Sequence, residues 1–410
     1  MCEVMIYGAH QRSFMELAIF GGTPVREKKI YYGHQCIDES DVKAVADTLT
    51  SDYITCGPMV SRAEEHLKQI TGAKNAVLVS NGTAALHLAC MAAGIGPGDE
   101  VITTPLTFAA SANCALYCGG KPVFADINPE TYNIDPVDVE RKVTDRTKAI
   151  VAVDFTGQVA QMKELRDIAD RYGLVLIEDA AHSIGSCYEG TPVGSIADLT
   201  CFSFHPVKTV TAGEGGAVLT NNEALFKKVY LGRTHGITHE DAEMAHPTGE
   251  PWYYEQTFLG YNYRMTDFQA ALLDNQLRKL ADFKKRRQEI VRRYDEAFSK
   301  VGQLIVQKEI PESDTCRHLY IIRLNSDRIQ CTRLEFFNAM SAENVQCQVH
   351  YIPVYWFPYY EQLGYHRGLC PNAEMVYEGI MSIPLYPSLT NQDVEDVIRA
   401  VKKVAEYYAK

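Results

Sequence analysis

Between residues 75 and 220, short apolar runs alternate with helical stretches, and this alternation limits the possible folds more than any other feature. The runs are Asn75–Ser80, Glu100–Thr104, Pro122–Ala125, Ala149–Asp154, Leu174–Glu178, Leu199–Phe204 and Ala217–Thr220. Strands that alternate with helices need crossover connections, which produce a mainly parallel sheet buried on both faces. Ligands of such sheets bind outside the carboxyl ends of the strands. The expected fold is α/β: a large domain with a mainly parallel seven-stranded sheet, then a smaller C-terminal α/β domain.

Lys208 falls between the last two runs. Pro206 cannot donate a backbone hydrogen bond and disfavours the helical conformation before it, so the strand from Leu199 should end there. Three glycines, Gly213, Gly215 and Gly216, precede the next apolar run. A lysine in that turn either snorkels to solvent or is held in a pocket. In a pocket it loses proton affinity, which suits a Schiff-base nucleophile and proton carrier.

A lysine that binds pyridoxal phosphate needs partners of definite types. A carboxylate must keep the pyridine nitrogen protonated so that the ring accepts electrons. The phosphate needs hydroxyls and the N–H groups of a helix start. The ring face needs an aromatic or apolar wall. Asp179 ends the run from Leu174, Thr83 sits in the turn Ser80-Asn-Gly-Thr-Ala-Ala-Leu86, and Phe108 ends Thr104-Pro-Leu-Thr-Phe108. Each lies just after a predicted strand, as does the segment holding Lys208, so the four are expected to share one site.

Five motifs occur in sequence: Asn81-Gly-Thr-Ala-Ala, Glu178-Asp-Ala-Ala-His182, Ser203-Phe-His-Pro-Val-Lys208, Glu214-Gly-Gly-Ala and Gly260-Tyr-Asn-Tyr-Arg264. In order and spacing the chain resembles the DegT/DnrJ/EryC1/StrS family of sugar aminotransferases, from about Ile30 to the C-terminus. The resemblance implies a fold-type I transferase that uses pyridoxal 5′-phosphate. Arg233-Thr-His-Gly236, Pro251-Trp-Tyr-Tyr254 and His350-Tyr-Ile-Pro353, with the lysine motif, look most like the family branch that serves pseudaminic acid biosynthesis.

By resemblance, Lys208 would hold the cofactor as an internal aldimine. Once displaced by the amino donor, which leads to the pyridoxamine form, it would move the proton between substrate carbon and cofactor. Asp179 would pair with the pyridinium. Gly82, Thr83 and Ala84 would offer N–H groups and a hydroxyl to the phosphate, and Ser203 a further hydroxyl. Phe108 would stack on the ring. His182 would sit near the phenolic oxygen, or be a satisfied buried histidine. Asn262 would reach the phosphate of a neighbouring subunit, which makes the expected homodimer a condition for activity. Tyr32, the turn Tyr53-Ile54-Thr55-Cys56, Arg264 and His350-Tyr351-Ile352-Pro353 would line the sugar-nucleotide pocket. Tyr351, Tyr355, Trp356, Phe357, Tyr359 and Tyr360 would stack on a uracil or sugar face, or form an ordinary core cluster.

The implied reaction moves an amino group from L-glutamate to C4 of UDP-2-acetamido-2,6-dideoxy-β-L-arabino-hexos-4-ulose. A different UDP-, dTDP- or GDP-linked 4-keto sugar is the first alternative. A 3-dehydrase relative would carry histidine at position 208, so Lys208 disfavours it. A cofactor-binding regulator without catalysis is the alternative of another class.

Composition bounds the rest. A net charge of −12 and a pI near 5.5 argue against nonspecific nucleic-acid binding. The twelve cysteines are scattered without a Cys-x-x-Cys, which reads as a reduced, cytoplasmic chain. No apolar run approaches a membrane span, no metal site is expected, and the Lys284-Lys-Arg-Arg287 run reads as a solvated helix face. Residues 1–29 are expected to form an N-terminal extension or arm, 30–265 the large cofactor-binding domain, and 266–410 a long helix with the small domain. Met15-Glu-Leu-Ala-Ile-Phe-Gly-Gly-Thr-Pro24 resembles a common family start, so 1–14 read as an upstream extension. Helices are expected at 38–51, 60–71 and about 266–298. In the small domain, strands at 318–324, 345–349 and 381–385 accompany helices at 332–342 and the C-terminus. The last helix carries the stripe Val394, Val397, Ile398, Val401, Val404 and Tyr408.

Overall fold

The computed structural model describes residues 16–410, so the reading of residues 1–14 as an extension lies outside it. Seven strands form the main sheet: β1 (Asn75–Val79), β2 (Glu100–Thr103), β3 (Lys121–Phe124), β4 (Thr147–Val153), β5 (Val175–Asp179), β6 (Leu199–Ser203) and β7 (Gly216–Thr220). Their order is β1-β7-β6-β5-β4-β2-β3. Neighbours from β6 to β3 pair in parallel, while β7 runs antiparallel to both β1 and β6. The sheet is therefore α/β and mainly parallel, as expected. The antiparallel β7 follows from the short return after Lys208, which is too brief for a crossover helix.

Both faces of the sheet are buried, and the strand period of two divides each run between them. Leu78, Ile102, Ile150, Leu176, Phe202 and Leu219 enter one core; Val79, Val101, Val151, Ile177, Cys201 and Val218 enter the other. The second core is covered by the helix Gly82–Ala92, whose residues Ala84 to Ala89 are all buried. Small side chains let this helix lie close against the strands.

The helices that frame the site are α1 (Glu39–Leu49), α2 (Pro58–Thr71), α3 (Gly82–Ala92), α4 (Ala110–Tyr117), α5 (Asp267–Leu277), α6 (Leu280–Phe298) and α7 (Asn391–Tyr407). A capping box at Asp38 opens α1, and Pro58 at the first helical position opens α2 two residues earlier than apolar spacing suggests. The single helix expected over 266–298 is two helices. They part at Arg278-Lys279, where Lys279 Nζ reaches Asp38 Oδ2 at 2.6 Å and Asp41 Oδ2 at 2.7 Å. Before the break, Leu273 and Leu277 pack in the sheet's core; beyond it, Ile290, Tyr294 and Phe298 pack in the C-terminal core. The changeover between cores thus lies inside α6, past the 265/266 boundary drawn from sequence.

The C-terminal unit holds a three-stranded antiparallel sheet, β8 (Leu304–Val306), β9 (Tyr320–Leu324) and β10 (Ile380–Ile383), in order β8-β9-β10. The strand expected at 345–349 is absent. Val345 bridges to Ile30 and Gln348 to Ser382, so the segment changes partner before a ladder can form. Val394, Val397, Ile398, Val401 and Val404 on α7 are buried as their spacing requires, whereas Tyr408 falls just past the helix end. Leu17 and Ile30 pack into this same C-terminal core.

Candidate active site

The carboxyl ends of β1, β4, β5 and β6 open onto one cavity of about 1000 Å³. The Cβ-tight junction of the last two strands with α3 fixes its floor. A Cβ at Gly82 would meet Ser203 Cβ at 2.9 Å, and one at Gly216 would meet Asn81 O at 2.5 Å. Glycine at both positions lets the turn after β1 lie directly on β6 and β7.

Lys208 is carried by the loop between β6 and β7. Phe204 N–H donates to Gly215 O at 2.8 Å, Ala212 N–H to Phe204 O at 2.9 Å, and Lys208 N–H to His205 O at 2.9 Å. The loop is therefore tied at its base and turned inward at Lys208. Burial lowers the lysine's proton affinity from its usual 10.5 to about 8, against the opposing pull of the Asp179 charge.

Asp179 ends β5 and is buried, which raises its carboxyl above the usual range. Ser111 Oγ donates to its Oδ2 at 2.6 Å and Ala181 N–H to its Oδ1 at 3.2 Å. These donors and the nearby Lys208 charge oppose the desolvation.

At the start of α3, Asn81 Oδ1 accepts the Ala84 N–H at 2.8 Å as an N-cap. This corrects one expectation: the Ala84 N–H is engaged by its own helix, leaving the N–H groups of Gly82 and Thr83 for an anion. Neither has a carbonyl partner inside the helix, and the helix dipole adds positive potential there. The Thr83 side chain and Ser203 line the same pole of the cavity.

The opposite wall comes mainly from the C-terminal half of the chain, with Tyr32 added from the N-terminal segment. Tyr351 O–H lies 3.2 Å from His182 Nε2, His350 Nδ1 lies 2.8 Å from Ser382 Oγ, and Tyr32 packs on His350 with ring centres 5.3 Å apart. The His182 and His318 rings are 4.6 Å apart. Burial first, then the Lys208 charge, holds His182 and His318 well below the usual histidine range and His350 at about 3. Three neutral imidazoles thus surround the lysine. Phe108 sits at the rim, edge-on to Tyr351 at 6.3 Å.

Of the residues expected from sequence, Tyr32, Gly82, Thr83, Ala84, Phe108, Asp179, His182, Ser203, Lys208, His350 and Tyr351 line this one cavity. Tyr53, Ile54, Thr55 and Cys56 lie outside it on an exposed turn, pinned by Asp267 N–H to Ile54 O. Asn262, Arg264, Ile352 and Pro353 also lie outside its wall. Asn262 is exposed, while its neighbours Tyr261 and Tyr263 both face the cavity, the alternation of an extended segment. Tyr355 and Tyr360 are core residues, as one of the two readings of the aromatic run required. Sequence reasoning missed Ser111, Thr107 and His318. Ser111 carried a weak signal, a small polar residue in the first turn of a helix beginning after Phe108. His318 carried none, because 110 residues separate it from Lys208 along the chain.

These residues fit pyridoxal phosphate. The buried Asp179 carboxylate faces the cavity with no arginine or lysine in ion-pair contact among the described residues. His182 Nδ1 is buried without a hydrogen-bond partner, and the glycine-lined turn at α3 presents free N–H groups. A cationic ring nitrogen, a phenolic oxygen and a phosphate would answer these three in turn.

Comparisons with known proteins agree with this geometry. The family model described as DegT/DnrJ/EryC1/StrS aminotransferase family matches residues 35–402. The spore coat polysaccharide biosynthesis protein SpsC of Bacillus subtilis is 42% identical over 377 residues, covering 92% of this chain and 97% of that protein. The UDP-4-amino-4,6-dideoxy-N-acetyl-beta-L-altrosamine transaminase of Campylobacter jejuni is 40% identical over 371 residues, covering 90% of this chain and 95% of that protein. The solved structure of Helicobacter pylori PseC, an aminotransferase involved in the biosynthesis of pseudoaminic acid, superposes with a TM-score of 0.86 at 31% identity, covering 93% of this chain and all of that one. With the family model matching residues 35–402 and relatives at 40% identity or more covered almost end to end, the chain belongs to the DegT/DnrJ/EryC1/StrS aminotransferase family, enzymes of the pyridoxal-phosphate-dependent aminotransferase fold.

Proposed function

We propose that the protein transfers an amino group from L-glutamate to C4 of UDP-2-acetamido-2,6-dideoxy-β-L-arabino-hexos-4-ulose, a step of pseudaminic acid biosynthesis in the cytoplasm. The observation that carries the chemistry is the pairing, in one buried cavity, of a lysine of lowered proton affinity with a carboxylate of raised affinity. The specific sugar is supported by the Campylobacter and Helicobacter relatives.

When bound, pyridoxal phosphate supplies an electron sink for breaking a C–H bond at the donor's α-carbon and making one at the sugar's C4. Lys208 holds the cofactor covalently through Nζ, and after displacement takes and returns that proton at the same atom. At a free-lysine value its Nζ would be almost wholly protonated near neutrality; lowered to about 8, a much larger fraction of it is free base there. Asp179 keeps the ring nitrogen's proton. Gly82, Thr83 and Ser203 anchor the phosphate and fix the ring against Lys208. His350 and Tyr351 present neutral donors and acceptors to oxygen atoms, suited to a sugar rather than to a second anion.

The site is completed in a homodimer. Lys208 is the sole lysine or arginine lining the cavity among the described residues, so a UDP diphosphate needs cations from elsewhere. Asn262 faces away from its own cavity and would serve the partner's phosphate pole, with Arg264 and the exposed Tyr53–Cys56 turn beside the same interface.

One observation favours a second reading. The Bacillus relative, named for spore coat polysaccharide biosynthesis, is slightly more identical than the Campylobacter transaminase. The same chemistry on another UDP-, dTDP- or GDP-linked 4-keto sugar is that reading.

Single turnover separates the two. The cofactor-loaded protein is converted with L-glutamate, freed of donor, and mixed with a panel of 4-keto sugar nucleotides. Return of the starting absorbance with the L-arabino UDP sugar alone is the expected result. Return with another sugar moves the pathway, and a protein that glutamate does not convert does not carry out the proposed transfer.

A further inference from the structure

Ser111 and Thr107 belong to none of the motifs that carry the family resemblance, yet they form a hydrogen-bonded line to Asp179. Thr107 Oγ1 and Ser111 Oγ are 2.7 Å apart, and Ser111 Oγ donates to Asp179 Oδ2 at 2.6 Å. All three side chains are buried: Thr107 is 3% exposed, Ser111 1% and Asp179 5%. A serine has one proton to give. The Phe108 carbonyl at 3.2 Å competes for it, but a carboxylate at 2.6 Å wins on both distance and charge. Thr107 must then donate to Ser111, which polarises the Ser111 O–H further.

We infer that Ser111, itself held by Thr107, is a positioning residue for Asp179, aiming its carboxylate at the cofactor's ring nitrogen and setting how strongly that carboxylate competes for the ring proton. The inference rests on the proposed pyridoxal-phosphate chemistry. Other groups around Asp179 do not replace this contact. Glu178 on the same strand and Cys201 on β6 interact unfavourably with its charge, Lys208 favourably, and Tyr351 on the opposite wall feels it unfavourably. Among the described residues the one other donor to the carboxylate is the Ala181 N–H, at the longer 3.2 Å.

Without the Ser111 hydroxyl, Asp179 becomes the stronger base and draws the proton off the ring nitrogen. The ring then accepts electrons less well and the C–H step slows. The test uses protein loaded with pyridoxal phosphate carrying 15N in the ring. In Ser111→Ala the ring nitrogen signal should move toward its unprotonated position, and the rate of conversion by saturating L-glutamate should fall about tenfold, as for a lost hydrogen bond to a charged group. The glutamate KM should change little. Thr107→Val, nearly isosteric, should move both readouts in the same direction by less, and Ser111→Thr should restore them. An unchanged nitrogen signal in Ser111→Ala and Thr107→Val would overturn the inference, even if both melt earlier. Should Ser111→Ala fail to fold, Thr107→Val decides alone. If wild-type protein takes up no cofactor, or glutamate does not convert it, the proposed function itself falls and this inference with it.

Discussion

The two walls of the cavity are built by different means. On the sheet side, Gly82, Thr83, Asp179, Ser203 and Lys208 each sit at or within a few residues of a strand end. On the other side, Tyr32, His318, His350 and Tyr351 are brought in by packing between distant segments: Ile30 against Val345, Gln348 against Ser382, His318 N–H on Thr156 O at 2.8 Å. The first wall carries charge, a lysine facing a carboxylate. The second is neutral: the His318 and His350 imidazoles and the Tyr351 phenol, whose ionisation burial suppresses. On the proposed function, the sheet wall would carry the cofactor chemistry and the C-terminal wall would recognise an uncharged sugar.

Lys208→Met should break the sheet wall most severely, lowering turnover by about 10⁴-fold or more while leaving the fold intact. The same substitution should change stability in the cofactor-free chain. Because burial lowers the folded lysine's affinity to about 8 from 10.5, the unfolded chain binds the extra proton between those values. Stability of the wild-type chain therefore rises with pH across that window, and the methionine variant should lose that rise in thermal melts. Asp179→Asn comes next, with a loss of about 10²–10³-fold in the half-reaction with glutamate, the range for removing one preorganised electrostatic contact. An asparagine that kept full rate would detach the carboxylate from the chemistry.

A third measurement addresses the lysine's charge without mutation. The rate at which cofactor-free protein takes up pyridoxal phosphate covalently should follow the free-base fraction of Lys208 and level off above about pH 8. Levelling near 10.5 would mean that Lys208 is not desolvated, and its use as a free base near neutrality would lose its support.

What the sequence disclosed follows the same division. Each main strand is legible because a buried strand must be a short apolar run, and a parallel sheet places its site at strand ends that can be marked on a sequence. The residues expected at the cofactor are legible because they cluster in contiguous turns. Arg278 and Lys279 hid the break between α5 and α6, since both residues favour helices; the break is imposed by Asp38 and Asp41, more than 230 residues upstream. Val345 to Val349 reads as a strand by composition and is denied a ladder by its change of partner. His318 and Ser111 acquire meaning only through neighbours on other elements. The Asn81 cap on Ala84 was legible in principle, as an asparagine three residues ahead of that N–H, and shows that the turn spends one of its donors on its own helix.

The smallest effect is expected where the two walls touch. Tyr351 O–H and His182 Nε2, 3.2 Å apart, form the hydrogen bond that joins them, and no charge is involved because His182 is held neutral. Tyr351→Phe keeps the ring that packs edge-on to Phe108 and removes the hydroxyl alone. If the C-terminal wall recognises the sugar, the variant should take up cofactor and react with glutamate at nearly wild-type rates. The second half-reaction, with the keto sugar, should slow or bind more weakly by about three- to tenfold, the range for a neutral hydrogen bond. An equal loss in both halves would place Tyr351 with the cofactor, through its hold on His182, and the walls would then act as one unit rather than as two with separate tasks.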